Sequence, residues 1–243
     1  MFKRMCPLFL VPAFLPTPTL GQTLAPDAAR LSLGADTLAV YMVSGSDTTA
    51  VGYVIDAISF GNHHGTPAII RRYTSESTIL GSRSDTLIDA RATFEPLAVK
   101  SWTDRGAEQL EFGSERVTGT IWIADGSEVQ VDEELPSGAI NAASFDLVLR
   151  ASDLEVGVEY ERQAFVAPIR AVLTLRAHVS GTDEVAGQQC WRVEVEFAGM
   201  PVTFWVSQTD RSLVRQEMVI RPDAVILFDS PARLEIQPPI STS

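Results

Sequence analysis

The segment Ile169-Arg-Ala-Val-Leu-Thr-Leu-Arg-Ala-His-Val179 alternates apolar side chains with mostly polar ones. This period of two is typical of a β-strand that buries one face and exposes the other to water. The pattern continues downstream, where short turns containing Gly, Pro or Asp separate the segments 190–197, 202–206 and 213–220. We therefore predict that the C-terminal half is an antiparallel β-meander.

The N-terminal half follows the same pattern and contains eight further strand candidates: 36–43, 49–60, 67–76, 86–92, 96–103, 107–112, 116–124 and 128–134. Connections such as Phe112-Gly-Ser-Glu115 are too short for the crossover that a parallel pair requires, so we expect antiparallel neighbours throughout. Long strands in one twisted sheet tend to curl. We predict a mainly β fold over residues 22–230: a single strongly curved antiparallel sheet, or half-barrel, with one covering helix.

The covering helix is predicted from the one segment that departs from the period of two. Between residues 137 and 152, apolar side chains recur at helical spacing, at Ile140, Ala143, Leu147, Val148 and Ala151. Ser144, Asp146 and Arg150 fall largely away from this stripe, so we predict an amphipathic helix lying on the sheet. Residues 231–243 are rich in Pro and Ser and are predicted to form a flexible C-terminal tail.

The first residues are typical of a secretory signal peptide. Lys3 and Arg4 precede an apolar run, Met5 to Leu15, that is too short to span a bilayer. Small residues follow, and we expect cleavage near Gly21, so that residues 1–21 are removed. The predicted location is therefore periplasmic or secreted, without a transmembrane anchor.

The negative charge of the chain limits the partners that it can bind, and its two cysteines limit the disulfides that it can form. The formal net charge is −12, and loss of Lys3 and Arg4 would make it more negative by two charges, so we expect no nucleic-acid partner. Cys6 would leave with the signal, and Cys190 would remain as a single thiol without an internal disulfide. Alternation places Cys190 with the polar residues of its strand, where it either packs or serves as a reactive thiol.

Few residue patterns point to catalysis or to a metal. His63 and His64 are adjacent, so in an extended strand they point to opposite sides, and their glycine neighbours favour a turn. His178 alternates with polar residues and is predicted at the surface. We find no nucleophile elbow, phosphate-binding glycine loop or zinc motif, and we expect no cofactor, no metal and no catalytic residue.

Two pairs of carboxylates support the hypothesis, which stays open, that the protein is a hydrolase. Glu194 with Glu196, and Glu159 with Glu161, are two residues apart, so each pair shares one face of a strand. Such a separation suits the acid and base of glycoside hydrolysis. The same spacing also arises on any strand face that is exposed to water.

An apolar cavity is the competing hypothesis. Five apolar residues fall on one face of a hairpin and can either fill a core or line a concavity that takes an acyl chain: Trp191, Val193, Val195, Phe197 and Phe204.

The C-terminal half also resembles a known family. The segments on which the resemblance rests are Val185-Ala-Gly-Gln-Gln-Cys-Trp-Arg-Val-Glu-Val195, Phe204-Trp-Val-Ser207 and Arg211-Ser-Leu-Val-Arg-Gln-Glu217. They resemble an uncharacterised bacterial periplasmic family, the domain of unknown function 3108 type, which is distantly similar to the lipoprotein-carrier (Lol-type) proteins. The resemblance covers about residues 85–220. It implies a strongly curved open sheet with a helix on its concave side, and binding of something lipid-like without catalysis.

We therefore predict an exported, non-enzymatic β-sheet domain that binds a lipid or another hydrophobic small molecule in the cell envelope. Two alternatives remain: a module that binds an envelope protein, and a carboxylate-dependent hydrolase.

Overall fold

The computed structural model describes residues 22–197 and 199–230, most of which lie in sixteen β-strands. The single α-helix of these residues, α1, spans Phe145–Ala151. The strands are, in chain order, β1 Gln22–Thr23, β2 Gly34–Ser44, β3 Asp47–His63, β4 Thr66–Ser77, β5 Gly81–Ala90, β6 Pro96–Thr103, β7 Gly106–Phe112, β8 Arg116–Ile123, β9 Glu128–Glu134, β10 Ile140–Asn141, β11 Glu159–Val166, β12 Ala171–Val185, β13 Gln188–Phe197, β14 Met200–Ser207, β15 Leu213–Arg221 and β16 Ala224–Asp229.

All sixteen strands belong to one sheet, which confirms the mainly β prediction. The order is β1-β11-β12-β13-β14-β15-β16-β2-β3-β4-β5-β6-β7-β8-β9, with β10 paired to β11 beside this path. Consecutive hairpins build both halves. The last strand, β16, pairs with β2 and joins the halves in the middle of the sheet, with Ala224 opposite Ser44 and Asp229 opposite Ala39.

Seven of the eight strands predicted in the N-terminal half agree with the structure to within three residues, whereas β5 begins five residues before the predicted 86–92. Two other expectations were also wrong. β1 and β10 pair with β11 in parallel. Each is only two residues long and is not joined to β11 by a hairpin, so a short connection does not force the antiparallel direction. The strand predicted from Ile169 begins at Ala171, because Ala167–Ile169 form a 3-10 turn and Arg170 adopts a left-handed φ of 50°. β11 and β16 were missed as strands.

The sheet curves around helix α1. Ser144, just before the helix, donates a hydrogen bond to Asp89 on β5, with an oxygen–oxygen distance of 2.7 Å. Arg150, in the last turn, donates to the carbonyl oxygen of Arg211, between β14 and β15, at 2.9 Å. Because these strands are far apart in the sheet order, one face of the sheet must turn inward around the helix.

Helix α1 is shorter than predicted and is buried on every side. All seven of its residues are buried, including Asp146 and Arg150, so the prediction that its polar side faces away from the sheet was wrong. The polar side chains are tolerated because they join a buried ion-pair cluster with strands β3 and β4. The helix therefore lies inside the concavity of the sheet.

The two ends of the sheet approach each other through side chains. No hydrogen-bonded ladder joins β1 to β9 within the described part of the chain. A buried apolar cluster nevertheless contains Val131 and Leu135 from the β9 end together with Phe165 from the β11 end. The rings of Phe112 and Phe165 meet edge to face with centroids 5.9 Å apart. The sheet thus remains open in its hydrogen bonds while apolar packing holds its two ends together.

One glycine permits a close approach of two strands on the inner face. Gly119 on β8 has a φ of 148°, and a Cβ atom there would lie 2.1 Å from the carbonyl oxygen of Gln109 on β7. Any other side chain would push β7 and β8 apart.

Candidate functional site

A cavity of about 690 Å³ lies inside the curve of the sheet, beside helix α1. Strands β4 to β8 form one wall and strands β13 to β15 form the other. Phe145 of the helix and Val166 at the end of β11 close the inner end, where both side chains are buried. At the opposite end, Met200 and Ile123 are more than two-fifths exposed, so we call this the open end of the cavity.

The wall formed by β13 to β15 is apolar except for Gln216. It presents Val195, Phe197, Val202, Phe204 and Met218 to the cavity. The register explains the alignment, because Val195 lies opposite Val202 and Val202 lies opposite Met218 on adjacent strands. Cross-strand partners share a face, so these side chains form a continuous apolar surface.

The facing wall, which we call the polar wall, carries four polar side chains in a row beside several apolar side chains of β5 and β8. Tyr73 of β4, Asp85 of β5, Ser101 of β6 and Glu108 of β7 are successive cross-strand partners and all line the cavity. We call these four residues the polar row. Asp85 accepts hydrogen bonds from Arg83 Nε and Ser101 Oγ, both at 2.6 Å. The Tyr73 hydroxyl and the Glu108 carboxyl make no hydrogen bond to any described residue, so they can serve a ligand.

Two arginines lie at the open end. Arg83 lies two residues from Asp85 on the same face of β5 and opposite Thr103, and Arg105 follows in the β6–β7 turn. Both line the cavity. The Arg83 guanidinium also lies 5.9 Å from the centroid of the Tyr73 ring. The cavity thus changes from buried at the helix, where Phe145 and Val166 lie beside the Arg71–Asp146 ion pair, to solvated at its open end, where the two arginines lie.

The inner end of the polar wall rests on the buried ion-pair cluster. Arg71 donates to Asp56 at 2.7 and 2.9 Å, to Asp146 at 2.7 Å and to the carbonyl oxygen of Ala143 at 3.1 Å. Arg150 adds its guanidinium at 3.6 Å from Asp56. Burial alone would lower the pKa of Arg71, but Asp146 and Asp56 outweigh it and raise that pKa above its ordinary value. This cluster fixes the helix against β3 and β4.

Burial shifts three further groups beside the cavity. It raises the pKa of Tyr73 to about 12 and raises the pKa of the Glu108 carboxyl, which Arg83 lowers and Asp85 raises. Burial also raises the pKa of Asp89 to about 7. Asp89 Oδ2 accepts from Ser144, whereas Oδ1 has no hydrogen-bond partner among the described residues. In each case the low-dielectric surroundings penalise the charged form.

The five apolar residues singled out from the sequence all belong to, or pack against, the main core. Val195, Phe197 and Phe204 line the cavity. Val193 is fully buried in the core, and Trp191 packs under the guanidinium of Arg211, 4.3 Å from its ring centroid. The structure therefore brings three of the five to the cavity and leaves two away from it.

The other candidate residues lie away from the cavity. Glu194 and Glu196 are exposed on the outer face of β13, opposite His178 and Arg176 of β12. Glu159 and Glu161 lie on the same face, where Arg176 donates to Glu161 at 2.7 Å. Neither carboxylate pair converges on a cleft.

The histidines and the cysteine also lie outside the cavity. His63 ends β3, and His64 forms the turn to β4 with a φ of 48°. Cys190 is fully buried in a small apolar cluster with Val185 and Val214, and burial raises the pKa of its thiol. Within residues 22–197 and 199–230, no group of three or more His, Cys, Asp or Glu side chains could hold a metal ion.

Sequence reasoning missed the polar row and the arginines at the open end. The sequence did contain an indication of them. The inward face of β4 and β5, marked by the buried Ile69 and Leu87, also carries Arg71, Tyr73, Arg83 and Asp85 at the same alternating positions. Polar residues at inward positions of a strand are unusual and indicate a functional or ion-pair role. Recognising them requires the strand register, which alternation alone leaves undetermined.

The described residues contain no helix of the length and apolarity needed to cross a membrane. The predicted signal peptide, residues 1–21, and the predicted C-terminal tail, residues 231–243, lie outside the described residues.

Comparisons with known proteins give a family and a fold neighbour. Among curated proteins, none matches the sequence. A solved structure, the β-barrel-like protein of domain of unknown function DUF1849 from Brucella abortus, is 11% identical, with a TM-score of 0.48 over 82% of this chain and 96% of that chain. The model of the family described as protein of unknown function (DUF3108) matches residues 64–227, which is more than half of the chain. The chain therefore belongs to the DUF3108 family.

Proposed function

We propose that this domain is an exported, non-enzymatic binding protein that takes the apolar part of an amphiphilic ligand into the cavity. The observation that carries the proposal is the pairing of an apolar wall, from Val195 to Met218, with the facing polar row. A volume of about 690 Å³ lies within the range of about 300–1,000 Å³ that is usual for small-molecule sites. Burial of apolar ligand surface against this wall supplies the driving force.

The polar row favours binding over catalysis. The usual glycoside hydrolysis uses two carboxyl groups on either side of the bond, one as the acid and one as the base or nucleophile. Asp85 is occupied by Arg83 and Ser101, so Glu108 is the one carboxyl of the row that is not hydrogen-bonded to a described residue. Export is proposed from the charged and apolar pattern of residues 3–15, and the envelope is the compartment where such a carrier would meet lipids.

Filling the cavity should abolish binding. Met218 is half-buried and faces the cavity, so Met218→Trp should occupy the space that a ligand needs. We expect the neutral probe Nile red to gain fluorescence with the native protein and to lose at least about tenfold in affinity with Met218→Trp, which corresponds to about 1.4 kcal/mol.

The matched control is Glu217→Trp, one residue away on the outer face, which should bind like the native chain. Circular dichroism of both variants shows whether the sheet is retained. Equal binding by the two variants, or no Nile red binding together with no lipid in native mass spectra of protein purified from its own compartment, contradicts the proposal.

The second candidate function is an envelope interaction module, and edge strand β9 favours it. The outer edge of Glu128–Glu134 pairs with no described strand and could accept an extended segment of a partner. Its acidic side chains also guard an exposed edge against aggregation. Crosslinking in intact cells separates the two functions, because a specific protein retained at high salt supports the module and co-purified lipid alone does not.

A further inference from the structure

We infer that the cavity selects amphiphiles with an anionic head group, which Arg105 and Arg83 bind at the open end. The inference rests on the proposed function, because it presumes that the apolar part of the ligand occupies the cavity. It adds the chemical class of the head group and the orientation of the ligand.

The guanidinium groups at the open end have unused hydrogen-bonding capacity. Arg105 forms no ion pair with a described residue, and Arg83 uses only Nε, toward Asp85, at 2.6 Å. The two terminal nitrogens of Arg83 therefore remain free of described partners. A guanidinium binds a carboxylate, sulfonate or phosphate through paired N–H groups, a geometry that a neutral head group cannot match.

The remaining charges of the cavity are already neutralised by neighbours. Arg71 is held by Asp56 and Asp146, and Asp85 by Arg83 and Ser101. Asp104, beside Arg105, accepts from the backbone N–H of Ser82 at 2.7 Å and keeps its charge, but it does not line the cavity. Glu108 lines the cavity without a cation of its own, and its burial favours the neutral form of the carboxyl. Among the lining residues, the charge that remains for a ligand is thus the positive charge of Arg105, with Glu108 as the opposing group.

The walls set the orientation of the ligand. Val202 and Phe204 lie deeper than Met200, which is exposed at the open end near the arginines. An alkyl chain gains most when it lies on the buried apolar wall, and a charged head loses least when it stays near water. The chain therefore points toward helix α1, and the head remains between Arg83 and Arg105.

The test uses three dodecyl probes with the same alkyl chain and head groups of different charge: a sulfonate, an alcohol and a trimethylammonium. Displacement of Nile red from the full chain gives the affinities, below the micelle concentration of the two ionic probes and below the solubility limit of the alcohol. We expect the sulfonate to bind about tenfold more tightly than the alcohol, and the ammonium most weakly. Arg105→Gln should remove most of this preference, and Glu108→Gln should enlarge it because an opposing carboxyl is lost.

The control is Arg72→Gln, an exposed arginine of β4 outside the cavity lining, which should keep the native preference. If Arg105→Gln fails to fold, Arg83→Gln decides in its place. Equal affinity for the three probes, preference for the ammonium, or an unchanged sulfonate preference in a folded arginine variant overturns the inference and leaves the proposed function standing. Failure of Nile red and of all three probes to bind overturns both.

Discussion

At the scale of single residues, the unusual feature of this chain is the number of charges on the inner face of the sheet. Asp56, Arg71, Asp85 and Asp89 are buried at positions where strand alternation would place apolar side chains. Three of them are satisfied by ion pairs or hydrogen bonds. Asp89 is the exception, since its Oδ1 atom has no hydrogen-bond partner among the described residues. Such a group makes stability depend on pH.

We expect Asp89 to destabilise the fold as the pH rises. Its pKa is raised from 3.8 in the reference state to about 7 in the fold, so only the unfolded chain loses the proton between these values. The free energy of unfolding therefore falls as the pH rises from about 4 to about 7, by on the order of 1 kcal/mol per pH unit, and changes no further above this window.

Asp89→Asn should remove this fall, because an amide keeps the acceptor for Ser144 and does not ionise. Urea unfolding at several pH values measures the difference between variant and native chain, which should widen with pH and then level off. Asp47→Asn, at an exposed position, is the control. Parallel pH profiles for Asp89→Asn and the native chain would show that burial of Asp89 carries no such penalty.

At the scale of elements, the strands could be predicted and the surroundings of the helix could not. Alternation located β2, β3 and β6 to within three residues, because period two is a local property of the chain. The helix pattern correctly indicated a helix near residues 145–151, but Asp146 and Arg150 were assigned to an outward side. Arg71, the partner of Asp146, lies 75 positions away in the sequence, and no local pattern reveals such a pairing. Tertiary context therefore decided the burial of the helix.

Arg71 should be essential for docking helix α1 on the sheet. Arg71→Leu leaves the carboxylates of Asp56 and Asp146 buried without their main cation, which costs about 3–5 kcal/mol in similar sites. Arg72→Leu, at the exposed neighbouring position, should change the free energy of unfolding by no more than about 0.5 kcal/mol. Urea titration followed by circular dichroism compares the two, and a similar small effect from both would mean that the ion pairs contribute little.

At the scale of the whole molecule, the sheet order was beyond sequence reasoning although the curved single sheet was correctly predicted. Hairpins follow from short turns, but the pairing of β16 with β2 joins segments at opposite ends of the described chain. β16 itself, Ala224–Asp229, is a short apolar run without clear alternation, so neither its strand nor its place was evident. The cavity depends on this pairing, because it brings the apolar wall and the polar wall into one curved sheet.

A disulfide across this junction tests the sheet order directly. Val43 and Val225 are cross-strand partners and are only partly buried. The double variant Val43→Cys with Val225→Cys should form a disulfide, identified by mass spectrometry of the linked peptides, and should raise the stability by about 4–5 kcal/mol in the loop-entropy account.

The comparison pair, Val43→Cys with Leu227→Cys, is displaced by two residues, and its diagonal Cβ separation of about 7–8 Å is too long for a disulfide. Efficient linkage of the displaced pair and none of the matched pair would contradict the register.

The junction of β16 with β2 also governs the kinetics of folding. Hairpins of each half can form as soon as their own residues meet, but the central ladder must wait until both ends of the described chain have come together. Contacts of such sequence separation give a high contact order, and proteins of this kind fold in milliseconds to seconds or more slowly, not in microseconds. During that interval β2 and β16 present open edges. The step that completes the sheet is therefore also the period in which the chain is most exposed to aggregation and proteolysis.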